Sequence, residues 1–323
     1  MDYLFFFLGL GLLLLGANYL VDSSVAIAQR AKISNFIIGL TIVGIGTSAP
    51  ELFVSISSAL TGNGDIAMGN VLGSNIANVF LILGVTATIL PFSIDKMQQR
   101  RDIPVGIGVA ILVFLLANDS LIPGLENGLS RIDGIFLLLV FIIYMAFVIL
   151  KKGKDPKQAL AEADEETKSQ LAGKNVFLLW GIAAASLAAL LWGGNLFLDS
   201  AKNLAASWGM SEAVISITIV AVGTSLPELI TAVIAACKKN PQLALGNVIG
   251  SNVFNLLMIL GVSSTIHGYQ LKDISIYDYL MAIFAAVCVF LTIFTFGKKK
   301  FDRIEGIIFI AIYIGYTIYL LMR

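Results

Sequence analysis

The hexapeptide Gly46-Thr47-Ser48-Ala49-Pro50-Glu51 lies in the middle of an apolar stretch that runs from residue 36 to residue 60. That stretch is long enough to cross a bilayer, for which a helix needs about 20 residues. A carboxylate at this depth costs roughly 3 kcal/mol on insertion scales, so Glu51 requires a partner or a function. Pro50 has no N–H for the carbonyl of Gly46, so we expect a kink that leaves backbone oxygens free.

Two hydroxyl groups accompany this carboxylate. Thr47 and Ser48 precede Glu51 by four and three residues, the spacings at which side chains share one face of a helix. Carboxylate, hydroxyl and freed carbonyl oxygens are the ligands of hard cations. The hexapeptide therefore favours a cation site within the membrane over a protonated structural acid.

Composition places the chain among polytopic membrane proteins. Of its 323 residues 58% are hydrophobic and 13% are charged. Acidic and basic residues balance, which indicates no nucleic-acid partner, and no cofactor or obligate protein partner is expected. Cys237 and Cys288 lack a cluster of further ligands and are predicted to be small packing residues. The apolar spans contain no Ser–His pair, His cluster or aspartyl pair. The sequence therefore does not indicate an enzyme.

Ten apolar runs predict an all-α protein with ten transmembrane helices. We place the spans near 3–28, 34–60, 66–91, 103–119, 131–150, 175–199, 211–236, 242–266, 275–296 and 304–321. The first run lacks the features of a signal peptide and is expected to stay as a helix. Residues 151–174 form a charged linker between two five-helix halves, 1–150 and 175–323.

Basic residues predict the orientation in the membrane. Of the 21 Lys and Arg residues, 17 follow odd-numbered spans and 4 lie on the other side. Cytoplasmic loops carry the excess of Lys and Arg. We therefore expect a cytoplasmic linker and two external termini.

The chain repeats itself at a shift of 177 residues. Residues 36–89 align with residues 213–266 without a gap, and 26 of the 54 positions are identical. The second hexapeptide, Gly223-Thr224-Ser225-Leu226-Pro227-Glu228, thereby matches the first. Because each half has an odd number of spans, the two halves are predicted to be inverted repeats. Transporters of this architecture bind substrate near the bilayer midplane, at the interface between the repeats.

The third and eighth spans carry one polar stripe each. Asn70, Ser74 and Asn78 are spaced by four, and the shift of 177 repeats them as Asn247, Ser251 and Asn255. Symmetry predicts four of these residues as ligands beside Glu51 and Glu228: Ser74, Asn78, Ser251 and Asn255. A packing role between helices is favoured for Asn75, Asn252, Gly69 and Gly73. Two further acids, Asp22 and Asp199, are expected near helix ends, held by hydration or by a neighbouring helix N-terminus.

The doubled pattern Gly-Thr-Ser-x-Pro-Glu and Gly-Asn-x-x-Gly-Ser-Asn-x-x-Asn resembles the α-repeats of the cation/calcium antiporter superfamily. The prokaryotic sodium/calcium exchangers are the branch that it resembles most. This resemblance implies a prokaryotic inner membrane and a secondary antiporter that exchanges Na⁺ for Ca²⁺ by alternating access. The implied ion sites lie between the second, third, seventh and eighth spans.

The resemblance also implies a ligand for each ion. Glu51 and Glu228 would bridge one calcium site and the flanking sodium sites. Hydroxyl and carbonyl oxygens would come from Thr47, Ser48, Ser74, Thr224, Ser225 and Ser251. Gly44 and Ala221 would offer backbone oxygens to the outer sodium sites.

Two departures from relatives bear on the counter-ion. Several potassium-dependent relatives have Asp where this chain has Asn255, which argues against a potassium requirement. Thr47-Ser48 and its repeat differ from the calcium/proton branch and argue for sodium. Potassium-dependent or proton-coupled antiport and, as another class, a cation channel remain alternatives. Glycines in the first and sixth spans, Gly16 and Gly193 among them, suggest that this pair slides to switch access.

Overall fold

The computed structural model describes residues 1–119, 127–150, 169–171, 173–208, 223–295 and 300–322. Helices dominate this part of the chain, as predicted. Their bounds are α1 (Asp2–Ala31), α2 (Asn35–Thr47), α3 (Ala49–Leu60), α4 (Gly64–Ile89), α5 (Ile103–Ala117), α6 (Arg131–Leu150), α7 (Val176–Ser207), α8 (Leu226–Cys237), α9 (Pro241–Ile266), α10 (Ile276–Leu291) and α11 (Arg303–Met322). Four short strands join them: β1 (Phe92–Ser93), β2 (Gly128–Leu129), β3 (Tyr269–Gln270) and β4 (Lys300–Phe301).

Six of the described helices are long and apolar enough to cross a membrane: α1, α4, α6, α7, α9 and α11. A seventh span results if the bent pair of α2 and α3 is one crossing. The remaining apolar helices α5, α8 and α10 are shorter, and the predicted start of the seventh span, residues 211–222, lies outside the described residues. A polytopic helical protein is therefore confirmed, whereas the count of ten spans stays a prediction.

The kink expected at the first hexapeptide is present. Helices α2 and α3 meet at a bend of 45°. Ser48 is the hinge, with φ −81° and ψ 11°, and Pro50 lies in the first turn of α3, where its missing N–H costs no helical hydrogen bond. Ser225 has nearly the same conformation before α8, with φ −85° and ψ 7°. Each hexapeptide thus places its glutamate in the first turn of a new helix.

Turns of π-helix interrupt the helices beside these hinges. They span Gly39–Val43 in α2, Asn78–Leu83 in α4 and Phe254–Ile259 in α9. Such turns shift the register of a helix and occur frequently at functional sites. Two of these turns contain the last residue of a polar stripe: Asn78 in α4 and Asn255 in α9.

Helices α1 and α7 pack along each other at very short range. A Cβ atom on Gly16 would lie 2.7 Å from the backbone nitrogen of Leu190, and one on Gly193 would lie 2.8 Å from that of Leu13. These glycines let the two backbones touch, as small residues do in membrane helix pairs. The first and sixth predicted spans are therefore a closely packed pair.

The loops collect at two opposite faces of the helical bundle. At one face, β1 pairs with β4, Asn35 donates to Asn240 at 2.9 Å and Arg30 donates to the carbonyl of Lys174 at 2.9 Å. We call this the linker face, because residues 169–171 of the predicted linker lie there; residues 151–168 and 172 lie outside the described residues. At the opposite face, β2 pairs with β3.

One expectation about buried acids is wrong. Asp22 is not at a helix end, because α1 continues to Ala31. Its carboxylate is buried and forms an ion pair with Lys238, with Nζ 2.7 Å from Oδ1. Asp199 is not at a helix end either, because α7 continues to Ser207; it is 71% exposed and pairs with Lys202 in its own helix at 3.3 Å. The two acids that the repeat equates therefore have different partners.

Candidate ion-binding site

Glu51 and Glu228 lie at the centre of the described structure, each 1% exposed. Both occupy the first turn of a helix, where the helix dipole favours negative charge. The two hexapeptides meet here, since Ser48, three residues before Glu51, contacts the carboxylate of Glu228. Burial of two ionised acids is costly without compensation, and a bound cation would supply that compensation.

Each carboxyl group receives one hydroxyl hydrogen bond through Oε1. Ser48 Oγ donates to Glu228 at 3.1 Å, and Ser74 Oγ donates to Glu51 at 3.4 Å. The second oxygen, Oε2, of both glutamates is buried and has no hydrogen-bond partner among the described residues. Buried polar atoms are normally paired, so these two oxygens are free to bind a cation.

Four asparagines tie α4 to α9 beside the glutamates. Asn75 and Asn252 each donate to the other's backbone carbonyl, at 3.1 Å and 3.3 Å. Asn78 Nδ2 donates to Asn252 Oδ1 at 2.9 Å, and Asn255 Nδ2 donates to Asn75 Oδ1 at 3.0 Å. The packing role predicted for Asn75 and Asn252 is confirmed.

The same network orients two further oxygens. Because Asn78 and Asn255 use their amide nitrogens to hold the neighbouring helix, their Oδ1 atoms are buried without a partner in the described part of the chain. An amide oxygen is a neutral ligand of hard cations. These two oxygens are available to a cation, and the role of Asn78 and Asn255 as ligands stays a prediction.

The other predicted ligands lie around this centre. Thr47 Oγ1 donates to Asn247 Oδ1 at 3.2 Å, and Ser251 Oγ donates to the Gly44 carbonyl at 3.2 Å. Ser225 is buried, and its hydroxyl has no hydrogen-bond partner in the described part of the chain; Thr224 beside it is half-buried. Ala221 lies outside the described residues.

Asn70 and Asn247, the first residues of the two polar stripes, have contacts that the sequence analysis did not predict. Asn70 Nδ2 donates to the backbone carbonyl of Glu51 at 3.2 Å and to Ser55 Oγ at 3.1 Å. Asn247 holds Thr47 in place, as described above. Their spacing of four from Ser74 and Ser251 was the signal that could have identified them as residues that position the site.

The arrangement suits a hard cation bound by charged and neutral oxygens. Nowhere in the described part of the chain do three His, Cys, Asp or Glu residues form a metal-binding group, so the two carboxylates would need neutral ligands beside them. Amide and hydroxyl oxygens supply these. Ca²⁺ takes six to eight oxygen ligands in flexible geometry. Two carboxylates would balance its charge.

Comparisons with known proteins agree with this chemistry. A family model described as sodium/calcium exchanger protein matches residues 1–150 and 178–322. Sodium/calcium exchanger MaX1 of Methanosarcina acetivorans is 33% identical over 351 residues, covering 99% of this chain and 98% of that protein. Inner membrane protein YrbG of Escherichia coli is 35% identical over 87% of this chain and 86% of its own.

A solved structure of the sodium-calcium exchanger NCX_Mj, soaked with 10 mM Na⁺ and zero Ca²⁺, superposes with a TM-score of 0.81. It is 33% identical, and the match covers 97% of this chain and 96% of that one. A family of exchangers consists of transporters and not of enzymes, as the sequence predicted. The chain therefore belongs to the sodium/calcium exchanger protein family.

Proposed function

We propose that the chain exchanges Na⁺ for Ca²⁺ across a membrane by alternating access, as a secondary antiporter. The observation that carries this proposal is that, among the described residues, four carboxyl and amide oxygens are buried without hydrogen-bond partners: Glu51 Oε2, Glu228 Oε2, Asn78 Oδ1 and Asn255 Oδ1. They lie on four elements, α3, α8, α4 and α9, in a chain of the exchanger family.

Glu51 and Glu228 hold the Ca²⁺ ion in this scheme, and two groups of neutral ligands complete the sites. Ser48, Ser74, Asn78, Ser225, Ser251 and Asn255 surround the two carboxylates. Thr47, Thr224 and the carbonyls of Gly44 and Ala221 serve the flanking sodium sites. Hydrogen bonds of Ser48 and Ser74 to the glutamates support this assignment.

Coupling follows from competition for shared oxygens. Two or three Na⁺ ions would use the carboxylates that Ca²⁺ needs, so both cargoes cannot bind fully at once. Exchange results if an empty or wrongly filled site does not reorient. The closely packed pair of α1 and α7 would slide across the core to change access, since the glycine contacts join these two helices into one unit.

The proposed architecture is ten spans in two inverted halves, 1–150 and 175–323, joined by the linker 151–174. Hydrogen bonds related by the shift of 177 residues support it. Asn78 bonds to Asn252 as Asn255 bonds to Asn75, and the bonds between Asn75 and Asn252 are reciprocal. A two-fold axis between α4 and α9 would produce these pairs.

The proposed orientation has the linker face in the cytoplasm and both termini outside, in a prokaryotic inner membrane. Its support is the excess of basic residues at loops of the linker face. Na⁺, Ca²⁺ and the surrounding lipid are the partners in this scheme.

Calcium binding by the purified protein tests the site without requiring transport. We expect isothermal titration to show Ca²⁺ binding by the wild type and its loss in Glu228→Gln, since the amide keeps the shape and removes the charge. Asp199→Asn is the matched control, because Asp199 is an exposed acid that pairs with Lys202 in its own helix. Unchanged affinity in Glu228→Gln would contradict the proposed site.

A further inference from the structure

An ion pair joins α1 to the helix that carries Glu228. Lys238 follows α8 directly, ten residues after Glu228. Its Nζ lies 2.7 Å from Asp22 Oδ1 and donates to the backbone carbonyl of Asn18 at 3.0 Å. The Asp22 side chain is 8% exposed and that of Lys238 is 23% exposed. Both partners are thus largely shielded from water, and each would be costly to leave alone.

The opposite face has no counterpart of this pair among the described residues. The shift of 177 residues relates Asp22 to Asp199 and Lys238 to Thr61. Asp199 is 71% exposed and pairs within its own helix, with Lys202. Thr61, the residue after α3, donates to the carbonyl of Ser58 in that helix at 2.9 Å. The two halves therefore differ here, although their sequences repeat.

The end of the linker is bound to the same part of α1. Ser169 Oγ donates to the backbone carbonyl of Asp22 at 2.8 Å. Arg30, further along α1, donates to the carbonyl of Lys174. Ser169 and Lys174, near the end of the linker, thus both contact α1 at the linker face. The Asp22–Lys238 ion pair connects the same part of α1 to the end of α8.

We propose that the Asp22–Lys238 ion pair holds the linker face closed and must break before the ion site opens to that face. Lys238 is then a positioning residue, since it fixes α8 and its Glu228 against the moving pair α1 and α7. The inference rests on the proposed alternating access. Breaking and forming salt bridges at an interface is a known way in which proteins switch between two packed states.

Distances between spin labels test this proposal without any ion flux. Ala31→Cys at the end of α1 and Lys96→Cys beyond α4 place labels at two exposed positions of the linker face, in a Cys237→Ser background that removes the exposed native thiol. The native Cys288 is buried. The labels report movement of α1 against the core at a distance from Lys238 itself.

We expect one dominant distance in the otherwise unaltered protein and a second population in Lys238→Met. The population ratio should change by about tenfold, because loss of one partner leaves the Asp22 carboxylate buried and unpaired. Lys238→Arg keeps the charge and should restore the original distribution. Lys202→Met is the matched control, because it removes an exposed ion pair of the opposite face and should change nothing.

Identical distributions in Lys238→Met and the parent protein would overturn the proposal. So would an equal effect of Lys202→Met, since the response would then not be specific to the linker face. Calcium binding by the labelled proteins distinguishes a wrong ion-pair proposal from a wrong assignment of the ion site. Normal binding with unchanged distances refutes only the ion-pair proposal, whereas lost binding in the parent protein refutes the proposed function.

Discussion

Ser48 donates its hydroxyl hydrogen to Oε1 of Glu228 at 3.1 Å, although 180 residues separate the two in the chain. The hinge of the first hexapeptide therefore touches the carboxylate of the second. Ser48 is the residue between α2 and α3, where the helix bends. The bend of one repeat and the carboxylate of the other therefore belong to one site.

Removal of this hydroxyl should weaken calcium binding and leave the fold intact. We expect Ser48→Ala to lower Ca²⁺ affinity by about ten- to a hundredfold, since a hydrogen bond to a charged group contributes about 1.5–3 kcal/mol. Isothermal titration measures the effect. Ser57→Ala, on an exposed position of α3, is the control and should bind like the wild type. Equal affinities of Ser48→Ala and Ser57→Ala would show that the contact does not matter for the ion.

Asn255→Asp should make transport depend on pH. A protonated Asp can still donate to Asn75 Oδ1 as Asn255 does, so at acidic pH we expect wild-type behaviour. At alkaline pH the ionised Asp adds a third negative charge and should change ion selectivity, with retention of an extra monovalent cation. Sodium-driven calcium flux measured from acidic to alkaline pH, with and without potassium, checks this. A variant with the pH profile and selectivity of the wild type would refute a role of Asn255 in the site.

Cysteine labelling of intact cells tests the orientation. Contrary to the packing role predicted for it, Cys237 is exposed; it lies at the linker face, so an impermeant maleimide should not reach it from outside. In a Cys237→Ser background, Thr61→Cys at the exposed opposite face should be labelled. Gly64 is unsuitable for this purpose, because its Cβ would lie 2.7 Å from the carbonyl oxygen of Gln270. Labelling of Cys237 but not of Thr61→Cys would show that the protein has the opposite orientation in the membrane.

Close packing of α9 on α2 should make Gly250 intolerant of a side chain. A Cβ atom there would lie 2.6 Å from Leu40 Cα and 2.7 Å from its carbonyl carbon. We expect Gly250→Ala to destabilise the protein by about 1–3 kcal/mol, since backbone atoms cannot move aside easily. Thermal unfolding in detergent measures this. Gly315→Ala should unfold like the wild type, because no described atom beyond the surrounding turns of its own helix lies within 4 Å of the added Cβ. Equal melting temperatures of both variants would contradict the packing.

Local patterns were sufficient to predict much of the site. Apolar length predicted the helices, Pro50 predicted the bend, and the repeat predicted that Glu51 and Glu228 share one centre. Each of these features depends on neighbours in sequence or on the symmetry of the repeat. The bend and the contact of the first hexapeptide with Glu228 are present, whereas the assignment of ligands stays a prediction.

Long-range partners were not predictable in this way. Lys238 counted only as a loop charge, because nothing near it in sequence indicates that Asp22 lies 2.7 Å away. The exchange of hydrogen bonds between Asn75 and Asn252 likewise depends on the docking of two helices. The repeat even misled here, since it equates the buried Asp22 with the exposed Asp199.

The central claim is sodium-coupled calcium exchange at the two glutamates. The most direct test is the initial rate of radioactive calcium uptake into sodium-loaded, potassium-free vesicles that contain either the wild type or Glu51→Gln. We predict uptake by the wild type that disappears without the sodium gradient, and no uptake by Glu51→Gln. Near-normal uptake by Glu51→Gln, or wild-type uptake that needs potassium or a pH gradient, would contradict the account.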